Sequence, residues 1–307
     1  MIYKPRYESL ELLTLRYLSS RKTLLEKENQ YYLSLEKGYE GEVKFDRFVE
    51  PVLTDWLLVN DLLLSHNNSF FQIDSLGITQ DTIYLFDVKN FDGDFIVEGD
   101  TWKYLTTGKD IKNPLHQLQR CESLLKRMLE ERGIHFPIKA FLIFINPEFT
   151  LYQAPLNPSI IFPTQLTQFI GNLSKERTAL HGKHHKLAEY LVSVNQEGYP
   201  NPFVPKYEYG ELCKGITCAG CGALIINKPL VQQKWKLTCD NCFFEENMET
   251  IVLRSVKEIQ LLFPEIRVNT TEVHEWCNGL INTKKIQRVL TQHYERKGRG
   301  KSSFYVM

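Results

Sequence analysis

Residues 140–145 read Ala-Phe-Leu-Ile-Phe-Ile without a polar break. A run of that length, rich in branched and aromatic residues, suits a strand covered on both faces, and such strands belong to layered α/β proteins. The surrounding patterns agree. Over residues 6–35, Leu10, Leu13 and Tyr17, then Leu24, Leu25, Tyr31, Tyr32 and Leu35, recur among charges, as in one or two amphipathic helices. Residues 38–48 continue as helix until Pro51 interrupts. Residues 56–64, 69–78 and 82–89 read as strands, with Asp81 near the turn between the last two. Phe91-Asp92-Gly93-Asp94 is a turn, and residues 95–97 begin a further strand. Residues 114–132 form a long helix, capped by Asn113 and opened by Pro114. Residues 163–196 read as two more helices. Helix, antiparallel strands, helix, strand is the order of an α/β core with a mixed sheet.

The chain has 307 residues, enough for roughly two domains. Gly198, Pro200, Pro202 and Pro205 mark a linker, and six of the seven cysteines follow residue 200. The expected segments are an N-terminal helical piece at 1–35, a catalytic-type domain at 36–196, a linker at 197–212, a Cys-rich module at 213–248 and a basic module at 249–307. Lys+Arg and Asp+Glu are both 37, so only local charge can speak for a polyanionic partner. No apolar run approaches the ~18 residues of a membrane helix. The N-terminus is polar, unlike a signal peptide. The expectation is a cytoplasmic protein with no membrane partner.

Chemistry concentrates on residues 72–89. Asp87-Val88-Lys89 ends the apolar strand Ile83-Tyr84-Leu85-Phe86, and strand alternation puts Asp87 and Lys89 on one face. Gln72 and Asp74 share a face of the preceding strand. Pairing the two strands brings Asp74 near Asp87, and a hard divalent cation such as Mg²⁺ relieves the repulsion between the carboxylates. Glu42, on the helix before, is a third acid. Lys89 is placed to orient or deprotonate a water. An isolated Asp-x-Lys is better explained by a strand-end salt bridge.

The wider series is Gly38-x-x-Gly41-Glu42, Gln72-Ile73-Asp74, Asp87-x-Lys89-Asn90 with Gly93, Trp102, and Asn113-Pro114-x-x-Gln117. In combination it resembles the nuclease-related domain, NERD, a branch of the PD-(D/E)xK nuclease superfamily, over residues ~36–150. The resemblance implies a restriction-endonuclease-like mixed sheet flanked by helices. It implies Glu42 as the helix acid, Asp74 and Asp87 as ligands of Mg²⁺ or Mn²⁺, and Lys89 as the catalytic lysine. It also implies Gln117 near the site and Gln72 orienting its neighbours. Asp87 stands where the family more often has Glu, and Ser75 where it often has His. Gly41 also reads as a close-packing position, and Trp102 as a core aromatic.

Cys218-x-x-Cys221 and Cys239-x-x-Cys242 are separated by seventeen residues, a spacing that points to a structural four-thiolate Zn²⁺ ribbon. Residues 223–226 and 234–238 are its expected strands, Cys213 a spare, and Cys121 and Cys277 packing residues. Residues 251–307 hold ten Lys or Arg against five Glu, a local excess that favours a polyanion. Helices are expected at 251–263, near 269–277 and at 283–293. In the last, Ile286, Val289 and Leu290 face inward, with Lys284, Lys285, Arg288 and Gln292 outward. Lys297, Arg299 and Lys301 follow at a hairpin tip. The pattern resembles a winged helix; a small helical bundle with a solvated basic face is the other reading. Gly300-Lys301-Ser302 lacks the earlier glycine of a phosphate loop. His181, His184 and His185 read as a solvated helix face.

Together these features predict a metal-dependent nuclease acting on nucleic acid, DNA before RNA, with the ribbon and basic module gripping the substrate. The other reading is a catalytically silent nucleic-acid-binding or regulatory protein on the same fold. A homodimer would supply two sites for double-strand cleavage.

Overall fold

In the computed structural model, which describes residues 1–176, 178–227, 232–233, 235–298, 300 and 303–306, the chain divides into two units. The first comprises Met1–Glu8 and Ser34–Pro202, the second Ser9–Leu33 and Phe203–Met307.

The strands of the first unit are β1 (Ile2–Lys4), β2 (Leu57–His66), β3 (Ser69–Ile78), β4 (Ile83–Lys89), β5 (Gly93–Glu98), β6 (Thr101–Tyr104), β7 (Asp110–Ile111), β8 (Ile138–Phe144), β9 (Phe149–Tyr152) and β10 (Ile160–Ile161). Six of them form a sheet in the order β1-β2-β3-β4-β8-β10. β2, β3 and β4 pair antiparallel, while β1–β2, β4–β8 and β8–β10 are parallel, so the sheet is mixed. A second sheet, β7-β6-β5-β9, grows from the turn at Gly93.

Helices cover both faces of the main sheet. On one face Ile83, Leu85, Leu142 and Phe144 pack with Leu118 and Leu125 of α3 (Pro114–Glu130), and with Leu187 and Leu191 of α5 (Gly182–Ser193). Phe95, Trp102 and Phe149 of the second sheet join that cluster. On the other face Tyr84, Phe86 and Ile143 meet Phe45 and Val49 of α2 (Glu26–Val49), and Leu166 and Ile170 of α4 (Leu166–Leu173). This double cover explains why residues 140–145 carry no polar break.

The β2–β3 hairpin turns through Asn67 and Asn68, both at positive φ, as a two-residue hairpin loop demands. Midway along it, Asp61 is also left-handed, at φ 54°. The core-facing positions run Leu57 and Val59, then Leu62 and Leu64, on β2, and Phe71 and Ile73, then Leu76 and Ile78, on β3. The alternation therefore slips by one residue at Asp61 and across from it at Asp74–Ser75. The slip lets both halves of a long hairpin bury their apolar side chains in one cluster.

The histidine reading is corrected at one position. His184 is fully buried rather than solvated, accepting from the His181 amide through Nδ1 at 2.7 Å, with Nε2 2.9 Å from the Gln80 carbonyl oxygen. Helical spacing from its buried neighbours Leu187, Ala188 and Leu191 puts it on the inner face.

The second unit contains α1 (Leu10–Arg21), short strands β11 (Ile216–Thr217), β12 (Leu224–Ile225), β13 (Gln232–Gln233), β14 (Lys236–Thr238) and β15 (Glu245–Asn247), then α6 (Met248–Leu262), α7 (Thr270–Trp276) and α8 (Thr283–His293). A hairpin, β16 (Glu295–Lys297) with β17 (Phe304–Val306), follows, and the Tyr305 amide donates to the Val268 carbonyl at 2.9 Å. Arg21 is buried in this unit. Its guanidinium pairs with both oxygens of Glu258, at 2.6 and 3.1 Å, donates to the carbonyls of Cys213 and Gly215, and lies 3.9 Å over Trp276. Among the described residues, no helix is long and apolar enough to cross a membrane.

Gly41 is a point of close approach, since a Cβ there would lie 2.5 Å from Asn90 Cβ and 3.3 Å from Ile145 Cγ2. Replacing Gly by Ala adds ~1 kcal/mol of helix propensity, but overpacking a rigid contact costs about 1–3 kcal/mol. Gly41→Ala should therefore lose stability in urea unfolding. Gly38→Ala, with nothing within 4 Å on the same helix, should gain up to ~1 kcal/mol.

Candidate active site

β3 and β4 are in register so that Ser75 faces Phe86 across the pair, which puts Asp74 beside the end of β4. Asp74 Oδ2 accepts from the Val88 amide at 2.8 Å. Asp87 is 6 % exposed, and neither of its oxygens has a well-directed hydrogen-bond partner among the described residues. Lys89 Nζ sits 2.6 Å from Asp87 Oδ1 and donates to Gln117 Oε1 of α3 at 3.3 Å. Asp74, Asp87, Lys89 and Gln117 thus meet at the carboxyl end of β4. Gln72 stands a step away, 3.4 Å from Asp61 Oδ1, with its carbonyl facing the Cys121 thiol.

Glu42 is held by a residue the sequence reading missed. Arg6 Nη1 donates to Glu42 Oε2 at 2.5 Å. Its Nε and Nη2 reach the two oxygens of Asp46, at 2.8 and 3.0 Å, and Nη2 also donates to the Asp74 carbonyl at 2.8 Å. Asp46 lies one helical turn after Glu42, so helical spacing signals it. Arg6 carries no local signal. Asp61 and Lys4 were also missed: Lys4 Nζ donates to the carbonyls of Asn60 and Asp61 and lies 4.0 Å from the Asp61 carboxylate.

Burial governs the electrostatics. It pushes Asp87 up to about 7, helped by the Asp74 charge and opposed by Lys89. It pushes Glu42 up to about 8, with Asp74 adding and Arg6 opposing. Asp61 is raised by burial as well, against Lys4 and Arg6. For Lys89 burial works downward, but Asp87, Asp74 and Glu42 outweigh it, and the ammonium holds its proton more tightly than usual. No trio of carboxylates among the described residues brings its ligand atoms within 4.8 Å of one another. Glu42 is turned to Arg6 and Asp87 to Lys89. The donor set nonetheless fits a hard divalent cation, because two buried carboxylates, Asp74 and Asp87, stand together with the Lys89 ammonium against only one of their oxygens.

Residues 37–145 match the nuclease-related domain, NERD. No curated protein and no solved structure matches the chain. The NERD span holds Glu42, Asp46, Asp61, Asp74, Asp87, Lys89 and Gln117, and leaves Lys4 and Arg6 outside it.

The second unit gathers the four cysteines. The Sγ atoms of Cys218, Cys221, Cys239 and Cys242 all lie within 4.8 Å of one another, with Cys218–Cys242 at 3.6 Å and Cys221–Cys239 at 3.8 Å. A tetrahedron with Zn–S bonds of about 2.3 Å has S···S edges of about 3.8 Å, so the cluster fits a zinc ribbon. The Asn241 side chain donates to Cys221 Sγ at 3.4 Å and the Gly220 amide to Cys218 Sγ at 3.3 Å. Asn241 draws Cys221 down to about 6, while burial takes Cys218 up to about 12. Cys213 stands exposed outside the cluster, and Cys121 and Cys277 are buried.

On α8, Ile286, Val289 and Leu290 are buried, and Lys284, Gln287, Arg288 and Gln292 are exposed. Lys285 and Arg288 lie over the ring of Trp235, at 5.4 and 5.2 Å, a contact between the ribbon and α8 that no sequence pattern announced. Lys297 is exposed on β16; Arg299 and Lys301 lie outside the described residues.

The raised carboxyls have a consequence for stability. A group whose folded pKa lies above its unfolded value stabilises at low pH, and that contribution is lost as pH rises through the folded value. In magnesium-free, zinc-replete buffer the thermal midpoint should fall from about pH 4, where the unfolded carboxyls ionise, and level off near pH 8, once Asp87 and then Glu42 have ionised in place. Asp87→Asn should flatten that fall, and an equally steep fall in the variant would assign it to other groups.

Proposed function

We propose that the protein is a metal-dependent nuclease that hydrolyses phosphodiester bonds, in DNA before RNA. The observation that carries this reading is the Asp87 carboxylate, buried without a directed hydrogen bond, beside Asp74 and Lys89 within the nuclease-related span. Asp74 and Asp87 would hold Mg²⁺ or Mn²⁺, which supplies Lewis-acid stabilisation of charge on the phosphate oxygens and a more acidic water. The chain's own residues do the rest. Lys89, kept protonated by its acidic neighbours, lends positive charge to the phosphate and orients the water rather than removing its proton. Gln117 holds the lysine over the site from α3. Glu42 and Asp46 anchor the helix to the site through Arg6.

The four cysteines would hold structural Zn²⁺. Three helices followed by a hairpin that bonds back to Val268 support a winged-helix reading of residues 249–307, with α8 presented to nucleic acid. Lys284, Lys285, Arg288, Gln292 and Lys297 would then contact phosphates, which fix position while the metal site cuts.

Labelled single- and double-stranded DNA incubated with Mg²⁺ or Mn²⁺ should be cleaved by the wild type. Asp87→Ala and Lys89→Ala should each lower the rate by roughly 10²–10³-fold, with fold and zinc content retained. Binding without cleavage under every metal would sink the nuclease reading and leave a nucleic-acid-binding protein. For α8, replacing Lys284 and Arg288 by Ala should weaken DNA binding, and the salt dependence should become shallower by about one per lost phosphate contact. An unchanged salt slope would move the interface elsewhere.

A further inference from the structure

Arg6 follows β1 and lies outside the nuclease-related span, yet its guanidinium is the residue most deeply engaged with the acids. Its side chain is 3 % exposed. It donates to Glu42, to both oxygens of Asp46 and to the backbone of Asp74. A guanidinium is not deprotonated in proteins. Burial opposes its charge here, but Asp46, Glu42 and Asp74 overcome that and hold the proton more firmly.

The charge balance around it is specific. Glu42, Asp46, Asp61, Asp74 and Asp87 face Lys4, Arg6 and Lys89, with Glu50 at the solvent margin. The acids outnumber the cations, and the geometry apportions them. Arg6 bonds to Glu42 and Asp46 together, Lys89 pairs with one oxygen of Asp87, and Asp74 with Asp87 is the carboxylate pair that a metal can hold.

We propose that Arg6 is a resident cation that takes the place beside Glu42, so that the acid cluster loads one divalent ion on Asp74 and Asp87 rather than a two-ion pair. Arg6 is also a positioning residue, because its bond to the Asp74 carbonyl ties that strand to α2. The inference rests on the metal-site reading above and adds the number of ions and the residue that sets it.

The test is a count of Mn²⁺ bound to the zinc-loaded full-length protein, by calorimetric titration and by electron paramagnetic resonance of the free ion. The wild type should bind one Mn²⁺ per chain, and Arg6→Gln two. The charge-balanced pair Arg6→Gln with Glu42→Gln should return to one. Glu42→Gln alone should keep one ion with affinity within a few fold of wild type, since Glu42 belongs to Arg6. Two ions in the wild type, one in a folded Arg6→Gln, or a loss of affinity beyond tenfold in Glu42→Gln would overturn the proposal. Should Arg6→Gln fail to fold, the wild-type count and the Glu42→Gln affinity decide it alone. No Mn²⁺ bound to the wild type would instead overturn the metal-site reading itself.

Discussion

Carboxylates buried side by side repel one another and lose their hydration, and the first unit is built around that constraint. Asp74, Asp87, Glu42, Asp46 and Asp61 gather about the middle of β2 and β3 and the carboxyl end of β4. Three cations come to meet them from separate parts of the chain: Lys4 and Arg6 from the first strand and its exit, Lys89 from the strand that carries Asp87. The compensation is incomplete. Asp87 and Glu42 stay shifted toward their protonated forms, and the Asp87 oxygens lack directed partners. Removing one member of a buried ion pair typically costs ~3–5 kcal/mol, so Arg6 bears on the fold as well as on the site.

The sheet supplies the rigidity such a cluster needs. β4 is covered on both faces, which leaves the strand little freedom to slide, and α3 and α2 bring Gln117 and Glu42 in from fixed directions. Asp61 adds a local irregularity where the strands change face. A left-handed non-glycine residue costs of order 1–3 kcal/mol and persists only where its surroundings over-determine it. Here the core residues on either side of Asp61 do that, since relaxing it would turn Leu62 and Leu64 out of the cluster.

The second unit solves a different problem. Its ribbon strands are two or three residues long, too short to sustain a core. Four cysteine sulfurs gathered at a spacing that fits zinc, and the buried Arg21–Glu258 pair, tie its segments together. Trp235, under Lys285 and Arg288, joins ribbon and α8 into one surface that is aromatic below and basic above.

The sequence by itself determined what depends on local periodicity and spacing. Alternation along residues 83–89 put Asp87 and Lys89 on one face, the apolar run at 140–145 required a doubly covered strand, the two Cys-x-x-Cys pairs announced their cluster, and helical spacing separated the buried and basic sides of α8. Asp46, one turn from Glu42, was legible in the same way, and so was the burial of His184 beside Leu187 and Leu191. Only the tertiary structure decided what joins residues remote in the chain. Arg6 reaches Glu42, Asp46 and Asp74 across thirty-six to sixty-eight positions. No local pattern encodes such a contact, because charge pairing is blind to sequence distance. The left-handed turn of Asp61 was likewise hidden, since aspartate tolerates that conformation without requiring it, and the need of two strand halves to share one core decides it.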